Sequence, residues 1–226
     1  MHLATPLRLL GFALLLTLSG CATTGGRSGP PRSPESRLHP GVIQGRLRAP
    51  SRAPAGSLAE FVIYVDAAKR PAGAAAKDAR GAKRALVGSP RERIGLGARG
   101  FSPRVVAVAP GDSVDFVNRD RRFHSAFSVS EARHFDLGSI PPNGVRSMRF
   151  DKAGAVRVFC TLHSDSSGYV FVAPSRVFAR ADASGSFALP ELTPGSYRVR
   201  VWHPRFGERS WPVELARRGL AIDLRF

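Results

Sequence analysis

Apolar residues fall along the chain in short runs of two kinds. In one they alternate with polar residues, as in Ser113-Val-Asp-Phe-Val-Asn118, Val145-Arg-Ser-Met-Arg-Phe150 and Tyr197-Arg-Val-Arg-Val-Trp202, the period-2 pattern of a strand with one buried face. In the other they are continuous, as in Phe61-Val-Ile-Tyr-Val65 and Arg104-Val-Val-Ala-Val-Ala109, short and rich in β-branched residues. Between the runs stand Pro110-Gly111, Pro141-Pro-Asn-Gly144, Asp151-Lys-Ala-Gly154, Asp182-Ala-Ser-Gly185 and Thr193-Pro-Gly195. These residue types set turn dihedrals or bond the local backbone. Strands at a spacing of about 8–12 residues, with little sustained helical period, predict an all-β protein built as a Greek-key β-sandwich.

The same pattern divides the chain. Residues 41–98 hold two strand-like runs, Gly41–Leu47 and Phe61–Val65, then a stretch over 67–98 rich in Ala, Gly, Arg and Lys that reads as a long basic loop. Residues 99–174 hold the dense series of strands, and residues 175–226 add the runs Phe187–Leu189, Tyr197–Trp202, Pro212–Leu215 and Leu220–Leu224. Two N-terminal strands cannot bury a core alone. The expectation is therefore a second, small β-sandwich made by the flanking strands, 41–66 with 176–226, into which 99–174 is inserted. Contact between Phe61–Val65 and Tyr197–Trp202 is its mark. The Gly-bounded strand followed by Val62-Ile-Tyr-Val65 resembles peptidase-regulatory and transthyretin-like sandwiches.

The N-terminus changes where the protein is expected to be. Met1–Arg8 is short and positively charged, and Leu9–Leu18 is an apolar run too short to span a bilayer. The following Leu18-Ser19-Gly20-Cys21 resembles the bacterial lipobox. That resemblance implies a signal peptide over 1–20, cleavage before Cys21 and lipid attachment to Cys21, with Ala22 favouring outer-membrane retention. Several acyl chains on one residue anchor a protein without a spanning helix. Residues 21–40, rich in Pro, Gly and Ser, read as a flexible tether. The expected setting is the bacterial cell envelope, at the outer membrane and facing the periplasm.

Charge narrows the partners. With 34 Lys and Arg against 17 Asp and Glu, the formal charge is +17, which favours lipid headgroups or an acidic redox protein. The export signal, and the lack of a nucleic-acid motif or of aromatics interleaved with the basic residues, point away from nucleic acid. The chain has two cysteines. Once Cys21 carries lipid, Cys160 has no partner for an internal disulfide, in a compartment where cysteines normally pair. A lone thiol there is buried, reactive or bound to metal, and His163 lies three residues on.

Candidate chemistry gathers at His124, after one strand, and at Cys160 and His163 on one loop between two strands. A trigonal His2Cys set with a weak or absent axial ligand is the geometry of blue-copper electron-transfer sites. Met148 lies in an alternating strand and reads as a packing residue; His134 and His203 read as structural or exposed. Trp202 and Trp211 read as core, and Asp182 and Gly185 as turn residues. No second metal cluster, Ser/His/Asp arrangement or nucleotide loop is present in the sequence, so an enzyme is not expected.

The run Phe101-x-Pro103, Gly111, Val114-x-Phe116-x-Asn118-x-Asp120, His124, Phe135-Asp-Leu-Gly138, Gly144, Phe150, Gly154, Cys160-x-x-His163 and Gly168-x-Val170-x-Val172 resembles the plastocyanin-like cupredoxins, in particular the amicyanin and methylamine-utilisation type. The resemblance covers residues 99–174. It implies one type 1-like copper held by His124, Cys160 and His163, and single-electron transfer as the function. Two positions depart from the family pattern. Ser166 stands where the family has its axial methionine, leaving Ser166 or Asp165 as a possible weak oxygen ligand. Ser125 stands where an asparagine usually ties the two ligand loops together. The alternatives are copper storage or delivery, and a non-catalytic envelope binding or structural sandwich whose degenerate site holds no copper.

Overall fold

The computed structural model describes residues 38–54, 56–66 and 91–226, with backbone alone for 164–166. The described residues belong to one compact unit. Their regular elements are sixteen strands and one 3-10 turn, Ser57–Glu60, so the chain is all-β, as its turn spacing predicts.

Two strands, β1 (Ile43–Arg48) and β2 (Val62–Val65), come first. Nine more form one sandwich: β3 (Arg91–Gly97), β4 (Gly100–Ser102), β5 (Val105–Val108), β6 (Asp112–Asn118), β7 (His124–Ser130), β8 (Arg133–Ile140), β9 (Val145–Phe150), β10 (Gly154–Cys160) and β11 (His163–Val172). They make a five-stranded sheet, β5-β11-β10-β7-β8, and a four-stranded sheet, β4-β3-β6-β9. The alternating runs supply the core between them. Phe116 and Phe135 lie 5.8 Å apart between ring centroids, and Phe150 meets Phe135 edge-on at 6.0 Å, with Ile94, Val158 and the Cys160 side chain buried in the same cluster.

The flanking strands form the second sandwich. β12 (Phe178–Arg180), β13 (Ser186–Ala188), β14 (Gly195–His203), β15 (Gly207–Leu215) and β16 (Leu220–Arg225) complete it, as sheets β13-β1-β16 and β12-β2-β14-β15. β2 pairs with β14, Val65 opposite Val199 and Val62 opposite Trp202. Ile43, Leu47, Phe61, Ile63, Val201 and Leu224 share its core.

The continuous apolar runs have a physical reason. β2 and β5 are buried on both faces, which removes any need for alternation. Ile63 and Val65 face the second core while Val62 and Tyr64 face a third cluster; Val106 and Val108 face the first core while Val105 and Ala107 face that same third cluster. Phe171 and Phe178 fill it from β11 and β12, so the two sandwiches share a packed layer.

One boundary is corrected. Residues 91–97 are not part of a basic loop: they form β3, parallel to β6 with Ile94 beside Phe116, so the first sandwich begins before residue 99. Arg91 and Arg93 sit over the buried carboxylate of Asp115, at 2.9 and 3.8 Å, while Ile94 and Leu96 point into the core. Residues 67–90 of the expected loop, the leader, Cys21 and all of the tether but its last three residues lie outside the described residues.

Candidate metal centre

The ends of three adjacent inner strands meet at one end of the five-stranded sheet. His124 opens β7, Cys160 closes β10 and His163 opens β11, opposite Cys160 in the ladder. The register shifts between Phe159 and Cys160 on β10, and between Ser125 and Phe127 on β7. Such bulges re-aim side chains at the end of a strand, and each lies beside one of the two buried donors. Sequence analysis placed all three residues on loops; each instead belongs to a strand, held by the ladder.

The donor atoms of His124, Cys160 and His163 all lie within 4.8 Å of one another. Cys160 Sγ is 3.8 Å from His124 Nδ1 and 3.7 Å from His163 Nδ1. Bonds of about 2.3 Å to sulfur and about 2.05 Å to nitrogen put S and N about 3.8 Å apart at a trigonal angle and about 3.6 Å at a tetrahedral one. Both S–N separations fall within that range. The imidazole rings stack at 4.8 Å with an interplanar angle of 15°. His124 is 2% exposed and Cys160 5%, whereas His163 is only partly buried.

The thiol is set up to ionise. Burial alone would raise its pKa, but the Ser125 N–H, His163, the Leu162 N–H and His124 outweigh it and lower the value to about 6; the Ser125 nitrogen lies 3.4 Å from Sγ. A thiolate is the form that binds a metal.

Ser125 proves to be the tie between the ligand loops. Its Oγ accepts the Thr161 N–H at 2.8 Å and lies 2.8 Å from the Thr161 hydroxyl, doing with a short side chain what an asparagine does elsewhere. This bond depends on how closely β7 and β10 approach, which residue type alone does not reveal.

Asp120, which stands in the family-like run before His124 without an expected role, meets the far side of the His124 ring. Its Oδ2 lies 3.1 Å from His124 Nε2, and the His124 ring together with the Arg121 N–H holds the carboxyl below the usual carboxylate range. The only signal was its place four residues before His124, within the run Asn118-x-Asp120.

The remaining residues are placed as follows. The side chains of Asp165 and Ser166 lie outside the description. Met148 packs against the first core with Arg133 Nη2 3.2 Å from its Sδ, on β9 of the other sheet. His134 is exposed; His203 is buried at 1% exposure among Phe61 and Phe206. Asp182 accepts the N–H groups of Ser184 and Ser186 as a turn residue. Trp202 stacks on Phe171 at 4.7 Å, and Trp211 packs against the second core.

No family model and no curated protein matches this chain. Solved structures similar to part of it include a purple cupredoxin from Nitrosopumilus maritimus, 19% identical over 36% of this chain and 99% of that chain, with a TM-score of 0.34. An oxidised amicyanin mutant is 21% identical over 38% of this chain and 86% of that one, TM-score 0.35. A Cu-containing nitrite reductase from Thermus scotoductus SA-01 is 21% identical over 38% of this chain but only 23% of its own, TM-score 0.36. What the site can hold follows from its own donors. One thiol and two imidazoles within 4.8 Å of one another, two of the three side chains buried, suit a metal that takes sulfur and nitrogen donors, copper among them.

Proposed function

We propose that residues 91–172 form a cupredoxin-like copper domain that passes single electrons, in a lipid-anchored protein of the bacterial envelope facing the periplasm. The observation that carries the reading is the convergence of Cys160 Sγ with the Nδ1 atoms of His124 and His163, at 3.8 and 3.7 Å, on three laddered strand ends. Copper bound there would supply one-electron exchange between its two oxidation states. The chain's part is to hold the donors still: Cys160 presents a thiolate, the imidazoles suit both states, and the Ser125–Thr161 bond keeps the β7 and β10 ends together.

The surface beside the ligands supports transfer to a protein partner. Phe123 and Leu162, each the residue before a histidine donor, are 54% and 61% exposed. Arg119, Arg121 and Arg122 are exposed close to Phe123 in the chain. Exposed apolar side chains next to the donors, with arginines preceding Phe123, would suit an acidic redox partner, with charge steering the encounter.

The test uses residues 22–226, which omit Cys21 and retain His39, whose carbonyl accepts the Val42 N–H. One equivalent of copper(II) is added and visible and paramagnetic resonance spectra are recorded beside Cys160→Ser and His124→Ala. A thiolate-to-copper charge-transfer band that needs both residues is expected. Absence of the band, or a band indifferent to Cys160, rejects the proposal.

A further inference from the structure

His124 has two ring nitrogens with different tasks. Nδ1 faces Cys160 Sγ at 3.8 Å, and Nε2 faces Asp120 Oδ2 at 3.1 Å. An ionised carboxylate can only accept, and a neutral imidazole carries one proton. The bond to Asp120 therefore places that proton on Nε2 and leaves the Nδ1 lone pair pointing at the site.

Asp120 is itself fixed, which separates it from a surface carboxylate that merely drifts near a histidine. Its N–H donates to Asn118 Oδ1 at 2.9 Å, and its Oδ1 accepts the Arg121 N–H at 2.6 Å. Asn118 is fully buried and donates from Nδ2 to the carbonyls of Arg122 at 2.8 Å and Ile140 at 2.9 Å. The chain from Asn118 to His124 is thus a closed loop that holds Asp120 Oδ2 against the His124 ring.

We infer that Asp120 is a positioning residue that locks the Nε2–H tautomer of His124 and, through its negative charge, favours copper(II) over copper(I) at His124, Cys160 and His163. The inference rests on the copper reading above for its second half and on the metal-free protein for its first. An anionic acceptor on the far nitrogen makes the near nitrogen a better donor, and loss of such a partner typically costs 10–100-fold in metal affinity. The extra negative charge stabilises the more positive ion.

Two variants of residues 22–226 test this. Asp120→Asn keeps the size and an acceptor but not the charge. Asp120→Ala removes both. Asp120→Ala is expected to bind copper(II) about 10–100-fold more weakly. For Asp120→Asn, copper(II) affinity is expected to fall about tenfold relative to copper(I), read as a potential about 59 mV higher for one electron. Nitrogen NMR of the metal-free wild type should show His124 protonated at Nε2 alone, and in Asp120→Ala a mixture of tautomers. Unfolding of each metal-free variant controls for misfolding, and Asp120→Asn, the milder change, decides if Asp120→Ala does not fold. A wild type without the charge-transfer band sinks the copper reading while the tautomer still tests Asp120. A wild type with the band, whose folded variants keep its potential, affinity ratio and His124 tautomer, overturns the inference.

Discussion

Ser125→Ala tests the claim that one hydroxyl ties the two ligand strands. In the wild type Ser125 is buried, its Oγ accepts the Thr161 N–H at 2.8 Å, and the two hydroxyl oxygens lie 2.8 Å apart. Thr161 itself is exposed, so water can replace part of what alanine removes. One backbone bond at about 1 kcal/mol, plus a hydroxyl pair worth a few tenths where solvent competes, gives a loss of about 1–2 kcal/mol. Thr161→Val removes the hydroxyl pair alone and should cost about 0.5 kcal/mol or less. Because the two changes share that pair, the double variant should lose less than the sum of the singles. Urea unfolding of metal-free residues 22–226 measures all three. The reasoning is refuted if Ser125→Ala is within about 0.5 kcal/mol of wild type, the usual scatter for a surface change, or if Thr161→Val costs as much as Ser125→Ala.

Two further outcomes follow from the second sandwich and the layer it shares with the first. Phe171 is buried between Trp202 at 4.7 Å and Tyr64 at 5.2 Å, so Phe171→Ala should cost about 3–5 kcal/mol; a loss under about 1 kcal/mol in urea would show that the layer is not tightly packed. Burial, then Arg104 and Arg205, lowers the pKa of His203 to about 4. This base stays neutral in the fold while the unfolded chain takes up its proton near 6.5, so its contribution is whole above about pH 6.5 and declines as pH falls toward 4. At about 1.36 kcal/mol per pH unit that span is worth about 3 kcal/mol at most, since Glu60, 3.5 Å from Nε2 and itself paired to Arg104, pulls the other way. His203→Asn should flatten the acid side of the stability profile, and parallel profiles for wild type and variant count against this account.

How much of this was legible depended on whether a property is local. The alternation in β6 and β14 and the turn residues between runs are local, and they marked the all-β class and the flanking sandwich. The three donors were legible as chemistry, because thiol and imidazole are scarce and Cys160-x-x-His163 puts two of them across one hairpin end. β3 was not legible: Arg91, Glu92 and Arg93 continue the basic composition before them, and only Ile94 and Leu96 mark its buried side. Asp120 and Ser125 were not legible either. Their roles lie in a loop closed by Asn118 and in the separation of two strands, and a carboxylate or hydroxyl in the sequence carries neither. Gly168 shows the same limit, since it reads as a strand glycine until Phe101 is seen close enough that a Cβ would lie 2.9 Å from its Cβ and Cγ.

β11 joins these observations. It begins with the ligand His163, passes under Phe101 at Gly168, sends Val170 and Val172 into the first core and Phe171 into the shared layer. Parallel pairing with β5 sets Phe171 beside Ala107, and both side chains reach the layer that β2 closes from the other side. A packed interior resists sub-ångström shifts, so movement of β11 is opposed from both faces along its C-terminal half. Under the proposed function, the second sandwich contributes no ligand but packs on the C-terminal half of the strand that opens with His163, the most exposed of the three donors. Were copper held there as proposed, electron exchange would be fast only if the donors moved little between oxidation states, and His163, partly exposed beside Leu162, is the donor with least burial to hold it.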